Sequence, residues 1–559
     1  MATFSDILQF HYQTHPAQVA LIIQHAGQPD FPLTYAELLT GANGYAQRYA
    51  LQGIQAGEMV VLILQHGVDL VYAFYGAILQ GTIPSIMPFL TEKLLPERYR
   101  ADLAALVAVT QPTAIVTYPE FEPEVCAALG AESSVRSVIV SGAVEAVRPP
   151  DFSALPGLQR SPEDIVLLQH SSGTTGLQKG VALSHRAVLN QVESYKQALH
   201  FSPADVIVSW LPLYHDMGLI AGFLMPILTG NLLVLLSPFE WVRAPARLMQ
   251  AISRYHGTLA WLPNFAYNFC AQKVRARDLE GVDLSSWRGV INCSEPMRDE
   301  SQQAFLERFK PYGFRASALL TSYAMAENTF AVTQGGVDEP LTIDVIDQEA
   351  MQVERVARPA QPGRPETRMV SAGRPIAATE VKVLDEKGLI LPERQIGELA
   401  LRSDCMLTGY YHRADATEKA FLDGWYLTGD YGYMAGGEVF VVGRKKDLII
   451  VGGKNVYPQD LELLAMQVPG VHAGRVSAFG VYNDQAGTED VVVVAEVDET
   501  DPDERQRIAD GIRQAINRGS AIAVRQVHIV NPPWVVKTSS GKTARLANRE
   551  KYLAEMAAQ

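Results

Sequence analysis

Two spacings of apolar residues alternate along the chain. From Tyr35 to Tyr49, Leu38, Leu39, Ala42, Ala46 and Tyr49 recur on one helical face, whereas Met59 to Leu64 is an unbroken apolar run of strand length. Val68 to Leu79 reads as a second helix closed by Gly81, and Ala114–Thr117 and Ser137–Val140 read as further buried strands. Short apolar strands alternating with helices imply an α/β fold with a mostly parallel sheet covered on both faces. Ile165 to Leu168 continues the series as a strand, and Ser184 caps a helix that opens at His185.

Farther along, Met217 to Phe239 carries no charge over a length close to a membrane span. Gly218, Gly222, Pro226, Gly230 and Pro238 interrupt it, so a buried helix, turn and strand are expected in place of a transmembrane segment. Arg243 to His256 is helix-like. Strands ending at Asn292 and Thr321 lead into Cys293-Ser294-Glu295 and Ser322-Tyr323-Ala324-Met325-Ala326-Glu327. Residues 373–445 change texture to β-formers separated by Gly turns, which reads as a small antiparallel or barrel-like unit. After Lys446 the pattern resets: a strand at Val491–Val497, a helix at Glu504–Arg518 and a strand at Val524–Val530 make a second, small α+β domain. The division expected is a large N-terminal domain of residues 1–445 and a C-terminal domain of 446–559, with the weakest patterning from Val337 to Arg368.

Composition narrows the class. At 559 residues the chain exceeds one core and fits roughly two to four domains. A formal net charge of −14 argues against broad nucleic-acid or anionic-membrane binding, both of which need excess Lys and Arg. Cys126, Cys270, Cys293 and Cys405 are widely spaced with no CxxC, so neither a zinc site nor a disulfide framework is suggested. Reduced thiols and an N-terminus without a basic-then-apolar segment lead to the expectation of a cytoplasmic protein.

The chemistry concentrates in Ser171-Ser172-Gly173-Thr174-Thr175-Gly176-Leu177-Gln178-Lys179-Gly180. Glycines turn backbone N–H groups inward, hydroxyls add donors and a lysine adds charge, which suits a phosphate chain. The spacing is not that of a P-loop, since Lys179 follows Gly176 by three residues and precedes a glycine. Glu295 and Glu327, each just past a strand, are carboxylates able to hold Mg²⁺ beside phosphates. Asp430 can accept from ribose hydroxyls and Arg444 can bond sugar or phosphate. The apolar surroundings of His215, with Met217, Trp261, Phe265 and Tyr267, suit an oily substrate as well as an ordinary core. A basic Gly-containing loop, Lys537 to Arg545, lies near the C-terminus.

Taken in this order, these pieces resemble the adenylate-forming superfamily of acyl-CoA synthetases, adenylation domains and luciferases, over nearly the whole chain. The resemblance implies that residues 171–180 grip the ATP triphosphate, with Ser171, Ser172, Gly173, Thr174, Thr175, Gly176 and Lys179 among them. It further implies that Ser294, Glu295, Ser322, Tyr323, Ala324 and Met325 border the nucleotide, that Glu327 and Thr175 hold Mg²⁺, and that Asp430 and Arg444 hold the ribose. Lys446 matches the hinge between domains, and Lys542 matches the lysine that bridges substrate carboxylate and α-phosphate. Within the superfamily, His215-Asp216-Met217-Gly218-Leu219, Pro263-Asn264-Phe265-Ala266-Tyr267 and Asn455-Val456-Tyr457-Pro458-Gln459-Asp460 are similar to the fatty acyl-AMP ligases. The stretch from Glu327 to Gly373 is roughly double that of a typical acyl-CoA synthetase, and the resemblance implies an insertion there that limits how the C-terminal domain swings.

Cys293-Ser294 stands where Gly-Ala is usual, and Ala324-Met325-Ala326 replaces Gly-Leu-Ala. The implied activity is ATP-dependent formation of a fatty acyl-adenylate and transfer to an acyl carrier protein, with His215 shaping the acyl pocket. Coenzyme A as acceptor and a non-catalytic acyl or nucleotide binder are the alternatives. Arg505, Arg507, Arg513 and Arg518 are the candidate docking face for an acidic carrier.

Overall fold

The computed structural model describes residues 2–89, 96–130, 132–148, 152–170, 179–452, 454–483, 488–520, 522–538 and 541–558. The loop segment 171–178, with Ser171, Ser172, Gly173, Thr174, Thr175 and Gly176, lies outside them. Two seven-stranded sheets form the body. In one, Met59–Ile63, Ile83–Ile86, Ala114–Thr117, Ser137–Val140 and Ile165–His170 run parallel. In the other, Leu319–Thr321, Gly289–Asn292, Leu259–Leu262, Val206–Ser209, Leu232–Leu236 and Val19–Gln24 do the same. Apart from the edge strand Ser137–Val140, where only Ile139 is fully buried, the parallel strands are buried on both faces, as continuous apolar runs require.

Local chemistry sets the helix ends. Thr34 accepts the Glu37 N–H at 3.2 Å while the Glu37 carboxylate accepts the Thr34 N–H at 2.9 Å, a reciprocal cap that opens the helix Tyr35–Leu51. The helix Val68–Gln80 ends on Gly81 at φ 74°, a backbone position that glycine occupies without strain. The charge-free run becomes a π-helix Met217–Leu224, a short helix Met225–Thr229 and the strand Leu232–Leu236. Among the described residues no helix is long and apolar enough to cross a membrane.

One expectation changes here. The residues after the phosphate loop do not pass straight into a helix: Gly180–Ser184 forms a strand antiparallel to Ile165–His170, and only then does Ser184 cap the helix His185–Ala198. The loop therefore joins two arms of a hairpin. Val181, Ala182 and Leu183 pair with Gln169, Leu168 and Leu167, and their burial holds the hairpin in the sheet.

Past Gly373, the strands Thr379–Leu384, Gly397–Ser403, Trp425–Ala435 and Glu438–Arg444 form an antiparallel sheet with a short Phe421–Leu422 edge. The weakly patterned stretch is ordered around a two-stranded ribbon, Ile343–Asp347 against Glu366–Val370. Asp344 secures it, accepting from Arg394 at 3.0 Å and from the Tyr433 hydroxyl at 2.8 Å.

A separate apolar cluster gathers residues from Ile449 to Val527. It is built on a sheet of Val471–Asn483, Thr488–Val497 and Val524–Val530, the first pair antiparallel and the second parallel. Ile508, Ile512 and Ile516 of the helix Pro502–Ser520 cover one face, and Tyr552 of the helix Arg545–Ala558 packs with Phe479 and Val494.

Candidate active site

The site forms where the carboxyl ends of the second sheet's strands meet the antiparallel sheet, the usual place for ligands in open α/β sheets. Past Asn292 the chain turns sharply at Ser294, whose φ of 69° is left-handed. This residue puts its hydroxyl 4.0 Å from the Met217 sulfur, and the Cys293 thiol lies 3.0 Å from the same sulfur. The Glu295 carboxylate accepts the Phe265 N–H at 3.0 Å in the first turn of the helix Asn264–Lys273. There it satisfies a helix donor that would otherwise be unpaired.

Past Thr321, Ser322 donates to the Thr333 carbonyl at 2.7 Å, and the Tyr323 N–H donates to the Thr333 hydroxyl at 3.0 Å. Ala324 pairs with Ala331, and the Met325 N–H donates to the Phe330 carbonyl at 2.8 Å, leaving both side chains half-buried. The Tyr323 hydroxyl donates to Asp430 at 2.7 Å. Asp430 and Arg444 face each other across paired strands, with the guanidinium 3.5 Å from the carboxylate. Tyr323, Asp430 and Arg444 are thus one connected group.

Glu327 accepts the Tyr410 hydroxyl at 2.9 Å, and Tyr410 in turn contacts the Tyr426 hydroxyl at 3.0 Å. The Lys179 ammonium stands 4.5 Å from the centre of the Tyr410 ring, which ties the end of the phosphate loop to Glu327. Burial raises the Glu327 carboxyl above its ordinary value, and the charge of Asp216 adds to this while Tyr410 and Arg444 oppose it. Burial likewise raises Asp216, against which Lys542 and the Met217 N–H, 2.8 Å away, act in favour of the charge.

Burial pushes the His215 imidazole down to about 3, and the ammonium of Lys542 adds to the effect. Among the described residues its buried Nε2 meets no hydrogen-bond partner. The Lys542 charge is thus felt at His215 and Asp216 although 326 positions separate it from Asp216 in sequence. Its loop is shaped by Gly541 at φ 84° and by Thr538, whose N–H donates to the Lys542 carbonyl at 2.8 Å. Lys446, in the turn Lys445–Asp447, is depressed by burial and then by the neighbouring Arg444 charge.

The residues expected to line an oily pocket separate. Met217 is buried at the site beside Cys293. Trp261 is buried in the second sheet, its indole N–H donating to the Tyr195 hydroxyl at 2.9 Å. Tyr267 belongs to the core: its hydroxyl donates to the Val290 carbonyl at 3.1 Å and its ring packs on Phe305. Phe265 is 40% exposed and meets Trp210 and Trp241 edge-on. Helical spacing explains the split, since Phe265 and Tyr267 lie two residues apart and so point to different sides of one helix. Asp216, Cys293 and Tyr410 are site neighbours that residue patterning did not single out. A carboxylate directly after His215 was the available signal for the first, whereas Tyr410 reaches the site only through tertiary packing.

Of the candidate docking arginines, Arg505 donates to the Ile529 carbonyl and Asn531, Arg507 pairs with Glu504 and Arg513 with Asp510. Those charges are already engaged within their own domain.

Residues 8–411 match the family model described as AMP-binding enzyme. The medium-chain-fatty-acid–[acyl-carrier-protein] ligase JamA of Moorena producens (strain JHB) is 30% identical over 99% of this chain and 95% of that protein. A long-chain-fatty-acid–AMP ligase of Mycobacterium marinum is 30% identical over 93% of this chain and 92% of its own length. Among solved structures, one from a study of fatty acyl-adenylate ligases of E. coli and L. pneumophila superposes with a TM-score of 0.90 at 27% identity, covering 100% of this chain and 99% of that one. Matched family, relatives of full length and a shared whole-chain fold agree, and the chain belongs to the AMP-binding enzymes and, among them, to the fatty acyl-AMP ligases.

Proposed function

We propose that this protein joins a fatty acid to AMP and passes the acyl group to the phosphopantetheine thiol of an acyl carrier protein. In the first step the fatty carboxylate attacks the α-phosphorus of ATP and pyrophosphate leaves. In the second, the thiol attacks the carbonyl of the mixed anhydride, AMP departs with the bonding electrons and the thiol proton passes to solvent.

The reading rests above all on the charge of Lys542 acting on His215 and Asp216, the latter in turn acting on Glu327. Two anionic centres must meet in the first step, so the barrier is lowered chiefly by orientation and by positive charge held where negative charge collects. Lys542 is assigned that role. Glu327 has the oxygen chemistry that suits Mg²⁺, and a carboxylate whose proton affinity is raised by burial and by Asp216 is one that a divalent cation stabilises. Thr175 would be its companion ligand. When bound, the cation supplies charge neutralisation along the phosphate chain.

Lys179 and the preceding loop are assigned to the triphosphate, Asp430 and Arg444 to the ribose, and Ser294, Ser322, Tyr323, Ala324 and Met325 to the adenine surroundings. Glu295 is assigned to holding the turn. His215 stays neutral and shapes the acyl entrance with Met217. No nucleophilic side chain is required.

A carrier acceptor is favoured over coenzyme A by the way residues 337–371 hold the C-terminal part. The Asn455 side-chain amide donates to the Gln352 carbonyl at 2.9 Å, and Gln348 donates to the Gly519 carbonyl at 3.3 Å. Those bonds restrain the swing proposed to start at Lys446, so the domains assigned are 1–445 and 446–559. The need for ATP supports a cytoplasmic setting.

Replacing Lys542 by Ala is expected to abolish nearly all fatty-acid-dependent pyrophosphate release; release at the normal rate would overturn the assignment. Mass spectrometry of products from mixed-length fatty acids, with carrier protein or with coenzyme A, tests the acceptor. Acyl-carrier is the expected product, and abundant acyl-coenzyme A would reverse that choice.

A further inference from the structure

Arg298 lies just after the Ser294 turn and is fixed from both sides. Its N–H donates to the Asn264 side-chain oxygen at 3.1 Å, and the same oxygen receives the Asn292 amide at 3.0 Å. Its guanidinium reaches out of this frame to the Asp460 carboxylate, 2.5 Å away, in the first turn of the helix Pro458–Met466. Two residues on, Glu462 in the same helix accepts twice from Arg545 at 2.8 Å, and Arg545 also pairs with Asp447 at 2.8 Å. Arg545 closes the loop that carries Lys542. Two ion pairs therefore hold the helix Pro458–Met466, one tying it to Arg298 after the Ser294 turn and the other to Arg545, three residues past Lys542.

We infer that Arg298 and Asp460 are positioning residues that seat the C-terminal helix Pro458–Met466, and with it Lys542, for the adenylation step. This rests on the acyl-AMP ligase reading above. The pair is suited to the task because a close guanidinium–carboxylate contact is directional, and because it costs most when one partner is removed and the other stays charged. Burial works against the Arg298 charge, but Asp460 outweighs it and holds the guanidinium above its ordinary value. The consequence is a split between half-reactions. Adenylation needs Lys542 in place, whereas transfer of the acyl group from a finished adenylate to a thiol does not use that ammonium.

The test measures the half-reactions separately in the full chain: fatty-acid-dependent ATP–pyrophosphate exchange, and acyl transfer from supplied acyl-adenylate to a phosphopantetheinylated carrier protein. Arg298→Gln and Asp460→Asn, which each remove one charge and leave a polar side chain, should each slow exchange by about tenfold or more while KM for ATP and transfer stay near wild type. The exchanged pair, Arg298→Asp with Asp460→Arg, should recover part of the lost exchange. Exchange at the wild-type rate in both single variants, or an equal fall in both half-reactions, would overturn the proposal. Wild-type protein that exchanges pyrophosphate with no fatty acid would instead refute the acyl-AMP ligase reading itself.

Discussion

An imidazole beside an ammonium stays neutral when burial already opposes its charge, and His215 meets both conditions. Held down to about 3, the ring is in its neutral form near neutral pH. Replacing it by Asn should therefore leave the inflections of the pH–rate profile between about pH 5 and 8 where they were, even if the rate falls. Loss of an inflection near neutrality would show that the ring titrates during turnover. Tyr323 gives a complementary case. Its hydroxyl is the neutral donor that orients Asp430, and Tyr323→Phe removes a hydrogen bond to a charged group without changing the ring. The expected result is a rise in KM for ATP of about tenfold with KM for fatty acid unchanged, read from initial rates of pyrophosphate release.

At the scale of elements, the π-helix Met217–Leu224 fixes where Asp216 and Met217 stand. A methyl on Gly218 would overlap the Pro212 carbonyl oxygen, so Gly218→Ala must displace backbone on one side or the other. A loss of about 1–3 kcal/mol, read as a lower unfolding midpoint, is expected, together with reduced adenylation. Much of this level was legible in the sequence. The helices Tyr35–Leu51 and Val68–Gln80 and the strands Ala114–Thr117 and Ser137–Val140 announce themselves because their apolar spacing is decided locally and their ends carry Thr34 and Gly81.

The strand Gly180–Ser184 escaped because it is short and abuts a good helix cap, so only its pairing with Ile165–His170 identifies it. The ribbon Ile343–Asp347 with Glu366–Val370 escaped for another reason. Its strand Glu366–Val370 alternates exposed and half-buried positions and begins with three polar residues, and what secures the ribbon, Arg394 and Tyr433, lies far along the chain. The site divides the same way: Glu327, Asp430, Arg444 and Lys542 were readable as motif residues, whereas the engagement of Glu295 and Tyr267 depends on partners that spacing does not reveal.

For the molecule as a whole, three buried histidines join His215 in setting an acid limit. Burial lowers His66 to about 3 and His170 and His185 to about 4, all below the unfolded value of 6.5. The unfolded chain then binds protons that the folded one does not, so stability is full above about pH 6.5 and falls as the pH drops toward the folded values. Each histidine costs about 1 kcal/mol per pH unit in that window, opposed in part by Asp216 and Glu327, whose raised values favour the folded state on acidification. Denaturant midpoints measured from pH 7 to pH 5 should decline, and the triple replacement of these histidines by Gln should flatten the decline.

The aromatic cluster that Tyr457 shares with Ile346, Met351, Tyr431 and Tyr433 has its own consequence. Any rotation that carries the tail outward strips Tyr457 from that cluster and wets its ring, at about 25 cal/mol for each Å² uncovered. The Tyr457 ring is thereby a latch: together with the Asn455–Gln352 bond it sets a desolvation toll on any parting of the residues after Lys446 from the ribbon.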